Sequence, residues 1–476
     1  MNKRKNINID INSEELKQQH YMEQVKQWND EYFEKTSRRR KHLTVTYGCQ
    51  MNEHDSEEIS WILESMGYSP ADNKEDSDLI IYNTCSVREN ADLKVYGQLG
   101  ALKALKREKP DITIAVCGCM SQQESVRNFI MDKFKHVDII FGTNNIYKLP
   151  QLINSHLQTG ETIVDIIEES REIVENIDAN RKYNFKAFVD IMYGCNNFCS
   201  YCIVPYTRGR EKSRIPENIL KEIELLAQKG YKEITLLGQN VNSYGKNLET
   251  PYTFAQLLRD INEVDGIERI RFMTSHPKDL SDELIHAMRD CDKVCKHLHL
   301  PVQSGSDKIL RNMNRKYTKE KYLKLVEKIK REIPNIVLTT DIIVGFPGET
   351  EEDFKETLDL VKKVKYDSAY TFLYSMREGT IAAKHEEQVP DNIKHERFQR
   401  LLDTLYPIFY ESNKNYMNKI VKVLVEDISK NDESMLNGRT DSSKLVHFKG
   451  DKDLIGTFVN VKITDVKTFT LEGHIV

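Results

Sequence analysis

The sequence predicts an α/β protein in three parts: an N-terminal open parallel α/β domain, a central partial (β/α)6 barrel and a small C-terminal β-barrel. Three observations carry this. From Leu43 onward short apolar segments alternate with helical stretches, the pattern of a parallel sheet covered on both faces. A second such series starts at Lys186 and runs to six β/α units, two short of a closed eight-stranded barrel. Beyond Asn413 short β-prone segments follow one another without helices between them.

The 476 residues suffice for two to four domains, each able to bury its own core. The boundaries read as 1–40 for a polar N-terminal extension, 41–158 for the first α/β domain, 181–412 for the partial barrel and 413–476 for the terminal barrel. No run of about 18 apolar residues occurs, so no transmembrane helix is expected. Met1–Lys5 is followed by Asn6–Asp10 and not by an apolar core, which argues against a secretory signal. The nine cysteines are therefore expected in a reducing cytoplasm, where clustered thiols read as metal or redox ligands before disulfides. A net charge of −5 gives no global attraction for nucleic acid, so any RNA contact must use local basic patches.

Residues 1–40 are rich in Lys, Glu, Gln and Asn and end in the run Ser37–Lys41. They read as a solvated or partly helical extension, with an RNA-binding arm as the other reading. Leu43–Tyr47 is the first strand, and Gly48-Cys49 leads into a helix through about Met66. Asp78–Thr84 is the second strand, followed by Cys85-Ser86 and a helix from about Val87 to Lys106. Thr113–Gly118 is the third, followed by Cys119-Met120 and another helix, and Val137–Phe141 is the fourth.

The cysteines fall in register with this pattern. Cys49, Cys85 and Cys119 each stand at the C-terminal end of a successive strand, the edge where open α/β sheets bind ligands. Helix N-termini there favour thiolate over thiol. Three cysteines scattered through a core would not share one edge. Cys117, inside its strand, is assigned to packing. Residues 161–180, acidic with Glu168, Glu169, Glu172, Glu175 and Asp178, read as an interdomain connection with one strand in it.

The second series opens with Lys186–Met192, which delivers Cys195, Cys199 and Cys202 in the spacing C-x3-C-x2-C. Three thiols do not close a zinc site without a fourth donor, and no histidine or cysteine follows nearby. They are also one short of the four that hold an iron–sulfur cube, so a cube bound here keeps one iron open to a ligand. Further strands are expected at Glu233–Gly238, Arg269–Ser275, His297–Val302, Ile336–Val344 and Ser368–Ser375. Their C-terminal ends carry polar or glycine-rich turns: Gly238–Asn240, Ser275–Pro277, Gln303–Ser306 and Gly345–Glu349. Each alone is a tight loop, but together on one rim they suit a small-molecule pocket. Tyr206–Arg214 adds four cations and one acid beside the cysteine loop, either a phosphate or carboxylate contact or a solvated charge run.

A helix over roughly Asp391–Asn413 ends this part. Ile420–Val425, Ser434–Asn437, Leu445–Phe448, Leu454–Val461 and Thr468–Val476 then suggest a five-stranded barrel, with turns at Asn437-Gly438 and Gly450-Asp451. From Asn413 onward it holds 10 Lys/Arg against 9 Asp/Glu, so charge lends an RNA-binding role little support. Phe448, Arg439, Lys444 and His447 are expected to form an exposed contact face if it binds RNA; a structural cap is the alternative.

At this point the residues resemble a known family. The C-x3-C-x2-C triplet with Tyr201 before its last cysteine resembles the radical S-adenosylmethionine (SAM) signature. Tyr47–Asn52, Asn83–Arg88 and Cys117–Met120 resemble the methylthiotransferase domain, and the terminal barrel resembles a TRAM domain. Together these span about 41–476. Asn83–Ala91, His299–Ser306 and Gly438–Asp441 are most similar to the MiaB-type tRNA enzymes, and less so to the sister group that modifies a ribosomal-protein aspartate.

The resemblance implies two 4Fe-4S clusters, one held by Cys195, Cys199 and Cys202 and one by Cys49, Cys85 and Cys119. It implies that the first binds SAM and yields a 5′-deoxyadenosyl radical, that the second presents a methylated sulfur, and that the product is methylthiolated at carbon 2 of N6-isopentenyladenosine beside the anticodon. Tyr201 is implied as an adenine contact; Gln239, Ser304, Gly345 and Glu349 are read as further SAM contacts. The partners expected are the anticodon stem-loop of tRNA and an electron donor such as flavodoxin or ferredoxin, with the enzyme a monomer. The chemistry accounts for the cofactors: that C–H is not acidic enough for an ordinary side-chain base, so one-electron chemistry falls to a cofactor. Other substrates in this class are threonylcarbamoyladenosine and the ribosomal aspartate. A non-catalytic iron–sulfur or sulfur-carrier protein is the reading from another class, and it leaves both missing fourth ligands unexplained.

Overall fold

The computed structural model describes the chain except residues 1–10, 87–88, 169–172, 176 and 431. Met1–Asp10, Val87 and Arg88 of the second cysteine segment, and Glu169 and Glu172 of the acidic connection thus lie outside the described residues. The chain divides into two compact units, Met1–Lys182 with Met192–Asn196 and Cys202–Arg214, and Tyr183–Ile191 with Asn197–Tyr201 and Ile215–Val476.

In the first unit, helix α1 (Ile11–Thr36) precedes β1 (Lys41–Thr46), α2 (Gln50–Ser65), β2 (Ser69–Pro70), β3 (Leu79–Thr84) and α3 (Glu89–Glu108). Then come β4 (Thr113–Gly118), α4 (Glu124–Lys133), β5 (Ile139–Phe141), α5 (Leu149–Thr159) and β6 (Ile163–Asp165). The strands form one parallel sheet in the order β2-β1-β3-β4-β5-β6. Alternate residues of β3 and β4 feed two cores. Leu79, Ile81, Ala115 and Cys117 pack with Ile59 and Leu63, while Ile80, Tyr82, Ile114 and Val116 pack with Val95 and Leu99. This two-sided burial is why the central strands read as unbroken apolar runs.

One expectation is narrowed here and another is met. Helix α1 is a docked helix rather than a solvated arm: Val25 is 0% exposed in the core, and Asn29 Nδ2 donates to the Met66 carbonyl at 2.8 Å. Its basic end is engaged within the unit, with Arg40 3.2 Å over the Trp28 ring and Arg38 3.0 Å from Asp78. The strand expected in the acidic connection is β6, which completes the sheet through Ile139↔Ile163 pairing.

The second unit begins with β7 (Lys186–Asp190). The first unit's short strand β8 (Met192–Tyr193), helix α6 (Val204–Thr207) and strand β9 (Lys212–Ser213) follow. The second unit resumes with α7 (Pro216–Gln228), β10 (Glu233–Leu237), α8 (Phe254–Asn262), β11 (Arg269–Phe272), α9 (Asp282–Asp290) and β12 (His297–His299). It continues with α10 (Asp307–Asn312), α11 (Lys319–Glu332), β13 (Val337–Val344), α12 (Glu351–Val364), β14 (Ser368–Leu373) and α13 (Asp391–Lys414). The parallel sheets are β7-β10-β11 and β12-β13-β14, and a parallel bridge pairs Ile270 of β11 with Val294 in the segment leading into β12, so that β7 and β14 stand at the outer edges of the six strands. That is the open partial barrel.

Strands β15 (Ile420–Ser429), β16 (Asp432–Thr440), β17 (Leu445–Lys449), β18 (Phe458–Val466) and β19 (Thr470–Ile475) close a barrel in the order β15-β16-β17-β19-β18. Asn437-Gly438 is not a turn: both residues lie within β16, with Gly438 paired to Val425 and Val446. Strand β18 likewise runs four to five residues later than Leu454–Val461. The expected contact face also dissolves. Phe448 is 0% exposed in the barrel core beside Leu436 and Leu471, and Lys444 is buried, leaving only Arg439 and His447 partly exposed. Strand alternation sends Val446 and Phe448 to the same inner face.

This barrel is fixed to β11. Arg269 Nη1 donates to the Arg439 carbonyl at 3.0 Å, and Arg271 donates to Thr440 O at 2.6 Å, Asp441 O at 2.9 Å and Ser443 Oγ at 2.7 Å. Glu233 Oε2 balances the charge, 3.0 Å from Arg271 Nε. The Gly438–Asp441 segment therefore meets β11 through its backbone carbonyls.

Candidate active site

In the first unit the C-terminal sheet edge brings Cys49, Cys85 and Cys119 together. Cys49 is the residue before α2; Cys85 and Cys119 follow β3 and β4 directly. Cys85 and Cys119 are buried while Cys49 is exposed. Two amides lock the loops. Asn83 Nδ2 donates to the Asn52 carbonyl and to Ser56 Oγ, both at 2.9 Å, and Asn52 Nδ2 donates to Asn83 Oδ1 at 3.2 Å. The Cys49 N–H donates to Asn52 Oδ1 at 3.3 Å. Gly118, at φ +95°, allows the turn into Cys119, because a Cβ there would stand 2.3 Å from the Thr84 carbonyl.

The electrostatics differ between the three. A hydrogen bond with the Cys85 thiol brings Cys49 down to about 6, against the desolvation imposed by the protein packed around its sulfur and with help from the Arg208 charge. Burial pushes Cys119 up, opposed by Arg208, whose Nε donates to Cys119 Sγ at 3.3 Å. Cys119 is followed only by a 3-10 turn, Met120–Gln122, so the helix-dipole argument serves Cys49 and not Cys119. Cys117 packs in the core, and burial raises its thiol far above the ordinary value.

The second triplet lies on the loop after β8. In the first unit, Cys195 N–H donates to the Gly209 carbonyl at 3.1 Å beside the β8–β9 pairing Tyr193↔Lys212. Gly194, φ +75°, must be glycine because a Cβ would sit 2.1 Å from the Arg210 carbonyl. Cys195 and Cys202 are half-buried. In the second unit Cys199 is buried, and its neighbours are fixed by the end of α10 and the residues after it: Asn314 Nδ2 donates to Phe198 O at 2.9 Å and Ser200 Oγ donates to Asn312 O at 2.7 Å. Arg315 Nη1 lies 3.5 Å from Cys199 Sγ, held by Tyr317 and the Pro301 carbonyl.

Tyr201 packs against the cluster of Ile309, Met313, Phe346, Tyr374 and Ala382, together with Ile343. Gln239 is half-buried just beyond β10. Ser304 is buried, accepts from the Ser306 N–H at 3.2 Å and lies 3.4 Å from Thr357 Oγ1. Gly345 N–H donates to Glu349 Oε1 at 3.0 Å, and Arg397 donates to the same oxygen at 2.9 Å. Burial raises Glu349 to about 7 despite these partners. Its carboxyl thus braces the Gly345–Glu349 loop from within.

Asp55, Arg315 and Tyr317 are not singled out by sequence, while Asn52 and Asn83 stand at the ends of cysteine motifs with no role of their own. Arg208 stood in a cation run, and Arg315 and Tyr317 in a polar stretch after a helix; none carries a spacing signal.

Among the described residues, no three Cys, His, Asp or Glu groups converge as around one metal ion. A cube takes one thiolate per iron. The residues at the first edge fit such a group: three adjacent thiols, one held low, with a buried guanidinium beside them.

Comparison with known proteins agrees. The Radical SAM superfamily model matches residues 189–361, the Uncharacterized protein family UPF0004 model 41–142, and the TRAM domain model 414–476. The chain is 57% identical over 478 residues, covering 100% of both chains, to a tRNA-2-methylthio-N(6)-dimethylallyladenosine synthase of Clostridioides difficile (strain 630). It is 58% identical to the protein of that name from Alkaliphilus oremlandii (strain OhILAs), with 99% of each covered.

The chain belongs to this synthase family.

Both triplets fall inside matched regions, Cys49, Cys85 and Cys119 within 41–142 and Cys195, Cys199 and Cys202 within 189–361. Among solved structures, the radical S-adenosylmethionine methyltransferase TsrM from Kitasatospora setae, with tryptophan substrate and aza-SAM bound, superposes with a TM-score of 0.52. It covers 72% of this chain and 75% of its own at 15% identity, which shows a shared fold.

Proposed function

We propose that this chain methylthiolates carbon 2 of N6-dimethylallyladenosine next to the anticodon of tRNA, by radical SAM chemistry with two 4Fe-4S clusters. The observation that carries it is the presence of two three-cysteine sets in a chain that matches these synthases end to end. Cys195, Cys199 and Cys202 hold one cluster, and Cys49, Cys85 and Cys119 the other. When bound, the clusters and SAM supply one-electron cleavage of SAM, hydrogen abstraction and a methylthio group.

The protein supplies position and charge. Arg315 puts a fixed cation beside Cys199. Tyr201, anchored by Phe346 and Met313, offers an aromatic face for an adenine, and Gln239, Ser304, Gly345 and Glu349 shape the rim. Glu349 acts there by holding the Gly345 N–H. An unpaired anticodon-loop base reaches a pocket at small unstacking cost. The electron donor is a flavodoxin or ferredoxin, the enzyme acts as a cytoplasmic monomer, and among the described residues no helix is long and apolar enough to cross a membrane.

The deciding experiment is mass spectrometry of tRNA nucleosides from a deletion strain carrying wild type or Cys195→Ala. Wild type restores 2-methylthio-N6-dimethylallyladenosine, and the purified enzyme holds about eight irons and releases 5′-deoxyadenosine; the variant does none of the three. Equal restoration by both defeats the proposal. A product on threonylcarbamoyladenosine or a ribosomal aspartate redirects the substrate, and failure to bind SAM favours a non-catalytic iron–sulfur protein.

A further inference from the structure

Arg208 is 5% exposed and belongs, like Cys119 and Asp55, to the first unit. It caps the four-residue helix α6, six residues after Cys202. Its Nη2 donates to Asp55 Oδ2 at 2.6 Å, and both side chains are buried. Its Nε is aimed at Cys119 Sγ, 3.3 Å away. The remaining side opens on a cavity of about 70 Å³ lined also by Thr143, Tyr147 and Lys212. A buried ion pair is weak evidence for a stabilising role, because desolvating two charges offsets their attraction. An Arg with one donor held by a carboxylate and another on a ligand sulfur has a use beyond packing. Charge and hydrogen bonds at the sulfurs are the protein's means of setting a cluster's potential.

We propose that Arg208, oriented by Asp55, is a positioning residue for the Cys119 thiolate that sets the reduction potential of the cluster held by Cys49, Cys85 and Cys119. This rests on the ligand assignment above. One-electron reduction adds a negative charge to the cluster, which Arg208 stabilises and Asp55 opposes. Because Arg208 is carried on the segment that begins at Cys202, the chain brings the second cysteine set's own loop to the first set's ligand.

The test uses the full-length Cys195→Ala/Cys199→Ala/Cys202→Ala protein, reconstituted with iron and sulfide so that only the Cys49 set is loaded, and titrated by redox potentiometry with EPR. Arg208→Gln shifts the midpoint negative, Asp55→Asn shifts it positive, and Arg208→Lys falls between wild type and Arg208→Gln. A purely structural role moves iron content and leaves the midpoint of whatever cluster remains. Unchanged midpoints, or shifts of the same sign in Arg208→Gln and Asp55→Asn, overturn the proposal. Should Arg208→Gln hold no iron, Asp55→Asn and Arg208→Lys decide it by the same signs. Should the parent itself hold no iron, the ligand assignment fails, and this inference with it.

Discussion

Arg315 Nη1 lies 3.5 Å from the Cys199 sulfur while its Nη2 donates to the Pro301 carbonyl at 2.6 Å. One buried guanidinium thus joins the cysteine loop to the segment after β12. Arg315→Ala removes a charge-assisted hydrogen bond to the Pro301 carbonyl, which keeps the Tyr317 hydroxyl, and costs about 1.5–3 kcal/mol. The expected outcome is a lower denaturant midpoint for the apo protein and impaired 5′-deoxyadenosine formation, with Arg315→Lys recovering part of each. Unfolding curves and single-turnover SAM cleavage check it.

Cys117 and Cys119 stand two residues apart with different surroundings. Cys117→Ala removes one sulfur from a packed core and costs on the order of 1 kcal/mol, with iron content unchanged. Cys119→Ala is expected to lose about half the iron, since one of two cubes loses a ligand. Iron analysis of both variants tests the assignment.

Gly118→Ala forces a Cβ to within 2.3 Å of the Thr84 carbonyl at a φ of +95°. The turn into Cys119 then shifts, and the Cys49 set is expected to bind iron poorly while the Cys195 set remains loaded. EPR of Gly118→Ala against the Cys195→Ala/Cys199→Ala/Cys202→Ala background separates the two.

Glu349 gives a pH signature. Burial raises its carboxyl from 4.5 to about 7 in the folded chain. The native state therefore keeps a proton that the unfolded state releases, so stability is greatest below the unfolded value and falls as pH rises between about 4.5 and 7. The whole step is on the order of 3 kcal/mol. Glu349→Gln is expected to flatten this part of the profile, as read from denaturant unfolding of the apo protein at a series of pH values.

Arg271 carries the docking of the C-terminal barrel. Arg271→Met removes three donors to Thr440, Asp441 and Ser443 and leaves Glu233 buried with a reduced counter-charge. Breaking a buried pair in this way costs about 3–5 kcal/mol. Faster limited proteolysis between α13 and β15 is the expected readout, with wild-type rates counting against it.

Strand and helix periodicity, and the placement of Cys49, Cys85 and Cys119 after successive strands, follow from local spacing, so the three-part fold and both cysteine sets could be read from the chain. The same reading misjudged sidedness where local signals were thin. Phe448 looked exposed in a short β-prone segment, but barrel closure turns it inward. Asn437-Gly438 carries a turn signal that strand pairing on both sides overrides. Helix α1 is polar enough to pass for a solvated arm, and Val25 and Asn29 reveal their burial only once Met66 and the sheet's core are in place.

By itself, then, the sequence determined how the cysteines group into two sets of three and how the β/α units succeed one another, because both are set by local spacing. Only the tertiary structure decided which charges face those sulfurs. Arg208 meets Cys119 across 89 positions and Arg315 meets Cys199 across 116, and no periodicity along a chain encodes a contact that chain reversal over such lengths creates.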